Sequence, residues 1–178
     1  AAVSGDVVKV AQGTYTLSDT VVINKAISIV GLNNTADDVT TPAHVVPNVV
    51  FNAANDRPAF KVLGTTSGNV VFDSVKVNGG TNGVLFADSS AATTLNTLQI
   101  QHSEFVGQSN SSVSVDAQSA NARLSNLVID DVLINQDNMV AGPDAKQGIA
   151  AASGITTFGY GGNATITHVL VRGDMSNT

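Results

Sequence analysis

The chain contains a short sequence repeat, which we call the phrase. Two of the three histidines and one aspartate occupy the same position in different copies of this phrase. His102, Asp131 and His168 each fill the fifth place of one copy of this phrase. If the copies stack, neighbouring copies lie about 4.8 Å apart, and His102 comes within hydrogen-bonding reach of Asp131. Imidazole and carboxylate groups together suit proton transfer or the binding of a divalent metal ion. These three residues are therefore the candidate metal ligands of the chain, and no catalytic residue is assigned.

A plainer interpretation is that the same residues form a polar corner. Asp, Asn and Ser are favoured in turns because their side chains hydrogen-bond the local backbone, and turns are exposed to solvent. The insertion that precedes His168 could also move this residue out of the column. We favour the plainer interpretation and keep the metal site as the alternative.

The phrase that carries these residues has inward positions at offsets 0, 2, 5 and 7 around a polar pair. Its first copy reads NVVFDSVKVNG, in which alternation predicts two short strands and the pair Asp73-Ser74 predicts a sharp corner between them. The inward residues of the four copies are Val70, Phe72, Val75 and Val77; Leu98, Ile100, Ser103 and Phe105; Leu127, Ile129, Val132 and Ile134; and Ala164, Ile166, Val169 and Val171. Successive copies begin 28, 29 and 37 residues apart. This period predicts a repeat architecture, and because each repeat holds only short strands, that architecture is a β-solenoid.

The composition narrows the classes of partner. The net charge is −6 and there is no basic cluster, which argues against nucleic acid and anionic membranes as partners. No apolar run approaches the ~18 residues of a membrane-spanning helix. The chain has no cysteine and only 12% charged residues, and Asn, Ser and Thr supply its polarity. This composition resembles that of exported bacterial surface proteins, so we expect an extracellular or cell-surface location.

The first 32 residues resemble a known family. They contain Gly5-Asp6, a Gly13-Thr14-Tyr15 turn and a closing Gly31, with alternating Val and Ile between these points. The pattern closely resembles the opening coils of right-handed parallel β-helix proteins, the pectin-lyase-like superfamily, and the later phrases continue it more loosely. The resemblance implies the fold and its handedness. It does not specify an activity, because lyases, hydrolases, epimerases, surface proteins and phage tailspikes share the fold.

The sequence thus predicts an all-β protein, a right-handed parallel β-helix of about six coils in which residues 1–178 form a single domain. Two polar segments break the period, near 33–48 and 135–148, and predict loops that leave the solenoid. No amphipathic capping helix is recognisable at either end, and uncapped coils expose strand edges and apolar core. We therefore expect the domain to be part of a longer chain or of an assembly.

Positions between the inward ones should face solvent, yet several of them are apolar. Lys76 and Glu104 fit a surface ion pair between neighbouring phrases, a contact that is worth little. Leu133 and Leu170 follow in the same column. Either a loop folds back over this face or another chain packs there, and we favour the loop because both excursions must lie somewhere.

The residues give little support for catalysis. The family resemblance implies that a lyase would need an acidic cluster for calcium and an arginine base, and that a hydrolase would need converging carboxylates. Asp130-Asp131 is the adjacent carboxylate pair within the repeats, and no arginine lies in a phrase that matches a lyase signature. The Gly-rich segment 159–163 lacks the Lys and the helix of a phosphate loop and is interpreted as a turn. No cofactor is evident, although calcium remains possible.

Two classes of function remain. We favour a structural or adhesive module of an exported bacterial surface or extracellular protein, such as a self-assembling filament, a layer or a passenger domain. Its partners would be other copies of itself or neighbouring coils of a longer chain. The alternative is the N-terminal part of a polysaccharide-active enzyme, a lyase, hydrolase or epimerase, with a polysaccharide as partner.

Overall fold

The computed structural model describes residues 1–37, 44–64, 67–86, 92–118, 121–135 and 153–172, with the backbone alone for Thr35, Ala36, Asp37, His44, Ser153 and Arg172. Within these ranges the chain forms sixteen β-strands and no helix, so the predicted all-β class is confirmed. The strands build a nine-stranded sheet, a five-stranded sheet and a two-stranded hairpin. Pairing is parallel throughout the two large sheets. No helix in the described part of the chain has the length and apolar character needed to cross a membrane.

The strands are arranged in three rows. The first row holds β1 (Val7–Val10), β4 (Ser28–Gly31), β9 (Asn69–Asp73) and the first halves of β12 (Thr93–Val106), β14 (Ala122–Asn135) and β16 (Asn163–Arg172). The second row holds β2 (Gly13–Thr16), β7 (Val49–Ala53), β10 (Lys76–Gly79) and the second halves of the same three long strands. The five-stranded sheet is the third row, with β3 (Val21–Ile23), β8 (Phe60–Val62), β11 (Asn82–Phe86), β13 (Ser111–Asp116) and β15 (Ser153–Phe158).

From β9 onwards, neighbouring strands in the first row come from successive copies of the phrase. In the first row Phe72 pairs with Ile100, Ile100 with Ile129, and Ile129 with Ile166. The predicted stacking of the phrases is therefore confirmed, including the last step across the insertion. The third row shares no strand pairing with the other two in the described residues.

The interior is a continuous apolar cluster built from the inward positions. Phe51, Phe60 and Phe72 pack edge-on within it, with ring centroids 5.1 Å apart at each step. Burying one such side chain stabilises the fold by about 1.5–3 kcal/mol. The fully buried inward residues of the central phrases are Val70, Phe72, Val75, Val77, Leu98, Ile100, Phe105, Leu127, Ile129 and Ile134.

The polar pair of each phrase forms the corner between the first and second rows. Its second residue has a left-handed backbone in every copy, with φ of 60° at Ser74, 48° at His102, 51° at Asp131 and 50° at His168. This conformation turns the chain sharply within one residue, and for an L residue it costs about 1–2 kcal/mol. Asp, Asn and His adopt it more readily than most residues. We call these four residues the corner column.

The first predicted excursion forms a β-hairpin. Within residues 33–48, β5 (Thr35–Asp37) pairs antiparallel with β6 (His44–Val46). Strand β6 contacts β12 and β14, so the hairpin lies against the two long central strands. The second predicted excursion, 135–148, begins where β14 ends at Asn135, and its other residues lie outside the described part of the chain.

Candidate functional site

The two histidines of the corner column each contact an aspartate of the preceding phrase. His102 Nδ1 lies 2.9 Å from Asp73 Oδ1, and His168 Nδ1 lies 2.8 Å from Asp130 Oδ1. In both pairs the aspartate stands one place before the corner of its phrase, and the histidine is the corner of the next phrase. The sequence predicted an imidazole–carboxylate cluster here with Asp131 as the neighbour of His102. In the structure the carboxylate partner of His102 is Asp73, which belongs to the preceding phrase and stands one place before its corner.

Each aspartate accepts further hydrogen bonds that hold it in place. Gln101 Nε2 donates to Asp73 Oδ2 at 2.8 Å, and Ser74 Oγ donates to Asp73 Oδ1 at 2.8 Å. Thr167 Oγ1 donates to Asp130 Oδ1 at 2.7 Å. The column before the corner thus alternates carboxylate and donor from copy to copy. This alternation produces two similar Asp–His clusters, one between the first and second phrases and one between the third and fourth.

The hydrogen bonds dominate the electrostatics of both clusters. Burial raises the pKa of the Asp73 carboxyl, but hydrogen bonds from His102, Gln101 and Ser74 outweigh it, so the pKa lies below its ordinary value. The pKa of Asp130 is lowered by hydrogen bonds from Thr167 and His168, against a smaller opposing effect of burial. Both aspartates are therefore negatively charged hydrogen-bond acceptors at neutral pH.

Asp131 binds a different part of the chain. Its Oδ2 accepts a hydrogen bond from the Val45 backbone N–H at 3.2 Å, although the two residues are 86 positions apart. Val45 lies in β6, so this contact ties the corner column to the hairpin. The adjacent carboxylates Asp130 and Asp131 therefore have separate roles, one towards the next phrase and one towards the hairpin.

The clusters can transfer a proton but are not arranged for nucleophilic catalysis. A carboxylate that contacts Nδ1 orients the imidazole and leaves Nε2 as the nitrogen able to act as acid or base. An activated serine would hydrogen-bond to a ring nitrogen, whereas Ser74 donates to Asp73 instead. The side chains of His102 and His168 are 39% and 63% exposed, so both rings face solvent.

The predicted metal ligands do not form a recognisable metal centre. In the described ranges, no group of three or more His, Cys, Asp or Glu side chains is arranged to hold a metal ion. His102 and His168 lie two phrases apart, and each ring is turned towards its own aspartate. Metal binding by His102, Asp131 and His168 stays a prediction, and so does calcium as a cofactor of the chain.

The outward face of the second row is more enclosed than expected. Lys76 Nζ lies 2.7 Å from Glu104 Oε2, as predicted, but the Glu104 side chain is only 7% exposed. Leu133, the next residue in the column, is also buried, while Leu170 is exposed. The predicted ion pair is therefore present, but its carboxylate is buried instead of exposed. Strand β6 contacts β12 and β14, the strands that carry Glu104 and Leu133. The contacts of the hairpin match the expectation that a loop folds back over this face.

The sequence analysis missed Asp73 and Asp130 as the partners of the histidines. A signal was present, because both aspartates occupy the place before the corner in alternating copies. Each is followed one copy later by a histidine at the corner itself. Comparing two neighbouring columns, rather than each column alone, would have identified both pairs.

No protein-family model matches the chain, and no curated protein is significantly similar to it. The functional interpretation therefore depends on the geometry of the corner column and of the outer strands.

Proposed function

We propose that the chain folds as a right-handed parallel β-helix and serves as a structural or adhesive module of an exported surface or extracellular protein. The fold is supported by three rows of parallel strands that follow the same order through successive phrases, and by the resemblance of the first 32 residues to the pectin-lyase-like superfamily. One coil would consist of one strand from each row. The six strands of the first row correspond to about six coils.

The observation that carries the functional proposal is the exposure of apolar residues on the outer strands. Inward columns are buried in the middle of the stack, as at Ile129 and Ile134. In the same columns, Val8 is 36% exposed on β1, while Ile166 and Val171 are 48% and 55% exposed on β16. A column position that is buried in the inner strands is therefore exposed to solvent in the outermost strands. Continuation of the rows by further strands would bury them.

The outer strands also offer backbone groups for pairing. An edge strand presents N–H and C=O groups that a further strand can bind. One edge consists of β1, β2 and β3, and the other of β15 and β16. Further coils of a longer chain, or another copy, would extend the rows at either edge. Because such a contact joins unlike surfaces, repetition builds a rod or filament and not a closed pair.

The direct test is the mass of the purified protein in solution, measured by light scattering over a range of concentrations with calcium and with a chelator. The proposal predicts large assemblies whose mass grows with concentration. A monomer at every concentration would argue against self-assembly. The calcium arm tests whether a bound cation takes part, since a calcium-dependent change in mass would indicate a cation site.

A second candidate is supported by the two Asp–His clusters. An oriented imidazole facing solvent is a group that could move a proton in a polysaccharide lyase or hydrolase. In that case the chain would be the N-terminal part of a polysaccharide-active enzyme. Cleavage of an acidic polysaccharide, lost in His102→Gln and retained in the wild type, would support this candidate. Absence of cleavage by the wild type would leave the structural role as the better interpretation.

A further inference from the structure

A surface cleft of about 650 Å³ lies beside the turns that lead from the third row to the first. One side is the turn after β13, at Ala117 and Gln118, and another is the Gly-rich turn 159–162 after β15. The start of β14, which includes Arg123, completes the lining. The cleft is separate from the corner column and lies where the chain passes from β15 to β16, the outermost strands at one end of the rows.

The charge of the cleft is opposite to that of the chain. The protein carries a net charge of −6, yet none of the described residues lining the cleft is acidic, and Arg123 is charged. The contrast with Arg57 is informative, because Arg57 forms ion pairs with Asp19 at 3.0 Å and with Asp56 at 2.8 Å. Arg123 makes no ion pair or side-chain hydrogen bond with the described residues. Its guanidinium therefore keeps its N–H donors for a ligand.

The Gly-rich side of the cleft is held in a fixed shape. The Tyr160 hydroxyl donates to the backbone carbonyl of Ser125 at 3.4 Å and also to that of Asn163. A Cβ on Gly162 would lie 2.6 Å from the Leu124 carbonyl oxygen and 2.7 Å from the Tyr160 ring, so glycine permits this close packing. Gly161 differs, because a Cβ there would meet nothing within 4 Å. In this turn Gly162 is tightly packed against neighbouring atoms, whereas position 161 has room for a side chain.

We propose that this cleft binds an oxyanion, the phosphate, sulfate or carboxylate group of a small polar ligand, with Arg123 as its anchor. The planar guanidinium binds such groups through two parallel N–H···O bonds, which are stronger than neutral hydrogen bonds. The cleft volume falls within the range of about 300–1,000 Å³ that small-ligand sites occupy. The inference does not require the proposed self-assembly, since its anchor Arg123 lies on β14, an inner strand between β12 and β16.

The experiment is a titration of the ¹⁵N-labelled protein with inorganic phosphate, sulfate and acetate in separate arms, at constant ionic strength. Every sample, including the one called wild type, carries Val171→Lys, which places a charge at the outer edge and should keep the protein monomeric. The readouts are the amide shifts of the Gly-rich turn and the side-chain Nε–H of Arg123. Arg123→Gln removes the positive charge from the cleft. Arg57→Gln is the matched control, because it makes the same substitution at an arginine outside the cleft. Gly161→Glu places a carboxylate in the open position of the cleft, and Gly161→Ala controls for the backbone.

We expect saturable shifts in the wild type, Arg57→Gln and Gly161→Ala. Arg123→Gln and Gly161→Glu should weaken binding by roughly tenfold or more, the loss expected for one charge-assisted contact. The arm with the strongest binding identifies the geometry of the anion. Shifts that never saturate in the wild type, or that are the same in Arg123→Gln, would overturn the proposal. Unchanged spectra elsewhere in each variant show that the fold is intact.

Discussion

The four residues of the corner column share one backbone conformation but differ in their side chains. Ser74, His102, Asp131 and His168 all have φ between 48° and 60°. The corner therefore requires a left-handed residue in each copy, whereas hydrogen bonding to neighbouring phrases depends on which side chain is present. Glycine would satisfy the backbone requirement and remove the side-chain contact, so the two contributions can be measured separately.

His102→Gly and His102→Ala provide this separation, because both lose the contact with Asp73. We expect His102→Gly to be more stable than His102→Ala by about 1 kcal/mol, since glycine adopts positive φ without steric cost. Chemical denaturation of the two variants measures the difference. At the neighbouring strand position Gln101 the order should reverse, with Gly less stable than Ala by roughly 0.5–1 kcal/mol. Equal stability of the two His102 variants would mean that the corner carries no backbone strain.

The lowered pKa of Asp73 predicts a loss of stability in acid. A carboxyl whose pKa is lower in the folded state stabilises the fold above its unfolded pKa of about 3.9, and this contribution disappears as the pH falls through the folded pKa. We expect Asp73→Asn to be less stable than the wild type at pH 7 by about 1 kcal/mol or less, because the pair is partly screened by solvent. The difference should shrink below about pH 4. Denaturation curves at pH 7, 4 and 2.5 test this, and a difference that grows in acid would contradict the assigned contacts.

At the residue scale, the sequence was sufficient to predict which side chains face inward but not which partners the corner residues choose. The alternation of apolar and polar residues determines which face of the strand Val70 or Ile129 lies on, because a strand has only two faces. The direction in which His102 points depends on its left-handed backbone and its rotamer, neither of which follows from spacing. The prediction consequently named Asp131 as the neighbour of His102, whereas the structure pairs His102 with Asp73.

At the scale of elements, the stacking of strands depends on columns of inward-facing apolar side chains that exclude water. Ile129 is fully buried between Ile100 and Ile166 in neighbouring strands. We predict that Ile129→Asp prevents folding or lowers stability by several kcal/mol, because it buries an unpaired charge. The control is Val128→Asp on the outward face of the same strand, where a much smaller effect is expected. Similar melting temperatures for the two variants would show that the inward assignment is incorrect.

A hydrogen bond from the Val45 backbone N–H to Asp131 ties the hairpin formed by β5 and β6 to the corner column, and β6 also contacts β12 and β14. Asp131→Gly removes the acceptor of the Val45 N–H and keeps the left-handed backbone of the corner. We expect the Val45 amide to exchange its hydrogen roughly tenfold faster in this variant, as for the loss of one charge-assisted hydrogen bond. The matched control is Asp130→Ala, whose carboxylate contacts His168 and Thr167 instead. Faster exchange at Val45 in both variants would indicate general loosening of the corner and not release of the hairpin.

The rows could be predicted from the sequence, whereas the hairpin could not. The rows follow from a phrase repeated four times, so each copy supports the assignment of the others. The hairpin occurs once, within a segment whose Asn, Asp and Pro content indicated only that it leaves the period. Its position is fixed by a contact between residues 86 places apart, and local patterns carry no information about such a contact. The enclosure of Glu104 was missed for the same reason.

At the scale of the whole molecule, the same columns provide both the core and the outer surfaces. Val171 occupies the column that buries Ile134, yet it is 55% exposed because no described strand follows β16 in its row. Continuation of the rows would convert this surface into core. We therefore expect copies of the protein to associate through the outer strands, with Val171 among the residues at the contact.

The measurement that tests this claim most directly is light scattering of the wild type beside two variants of β16. Val171→Lys places a charge in the inward column at the outer edge, while Thr165→Lys places the same charge on the outward face of the same strand. We predict that the wild type and Thr165→Lys form assemblies that grow with concentration, and that Val171→Lys remains a monomer with an unchanged circular dichroism spectrum. A wild type that stays monomeric, or a Val171→Lys variant that assembles like the wild type, would contradict association through this edge.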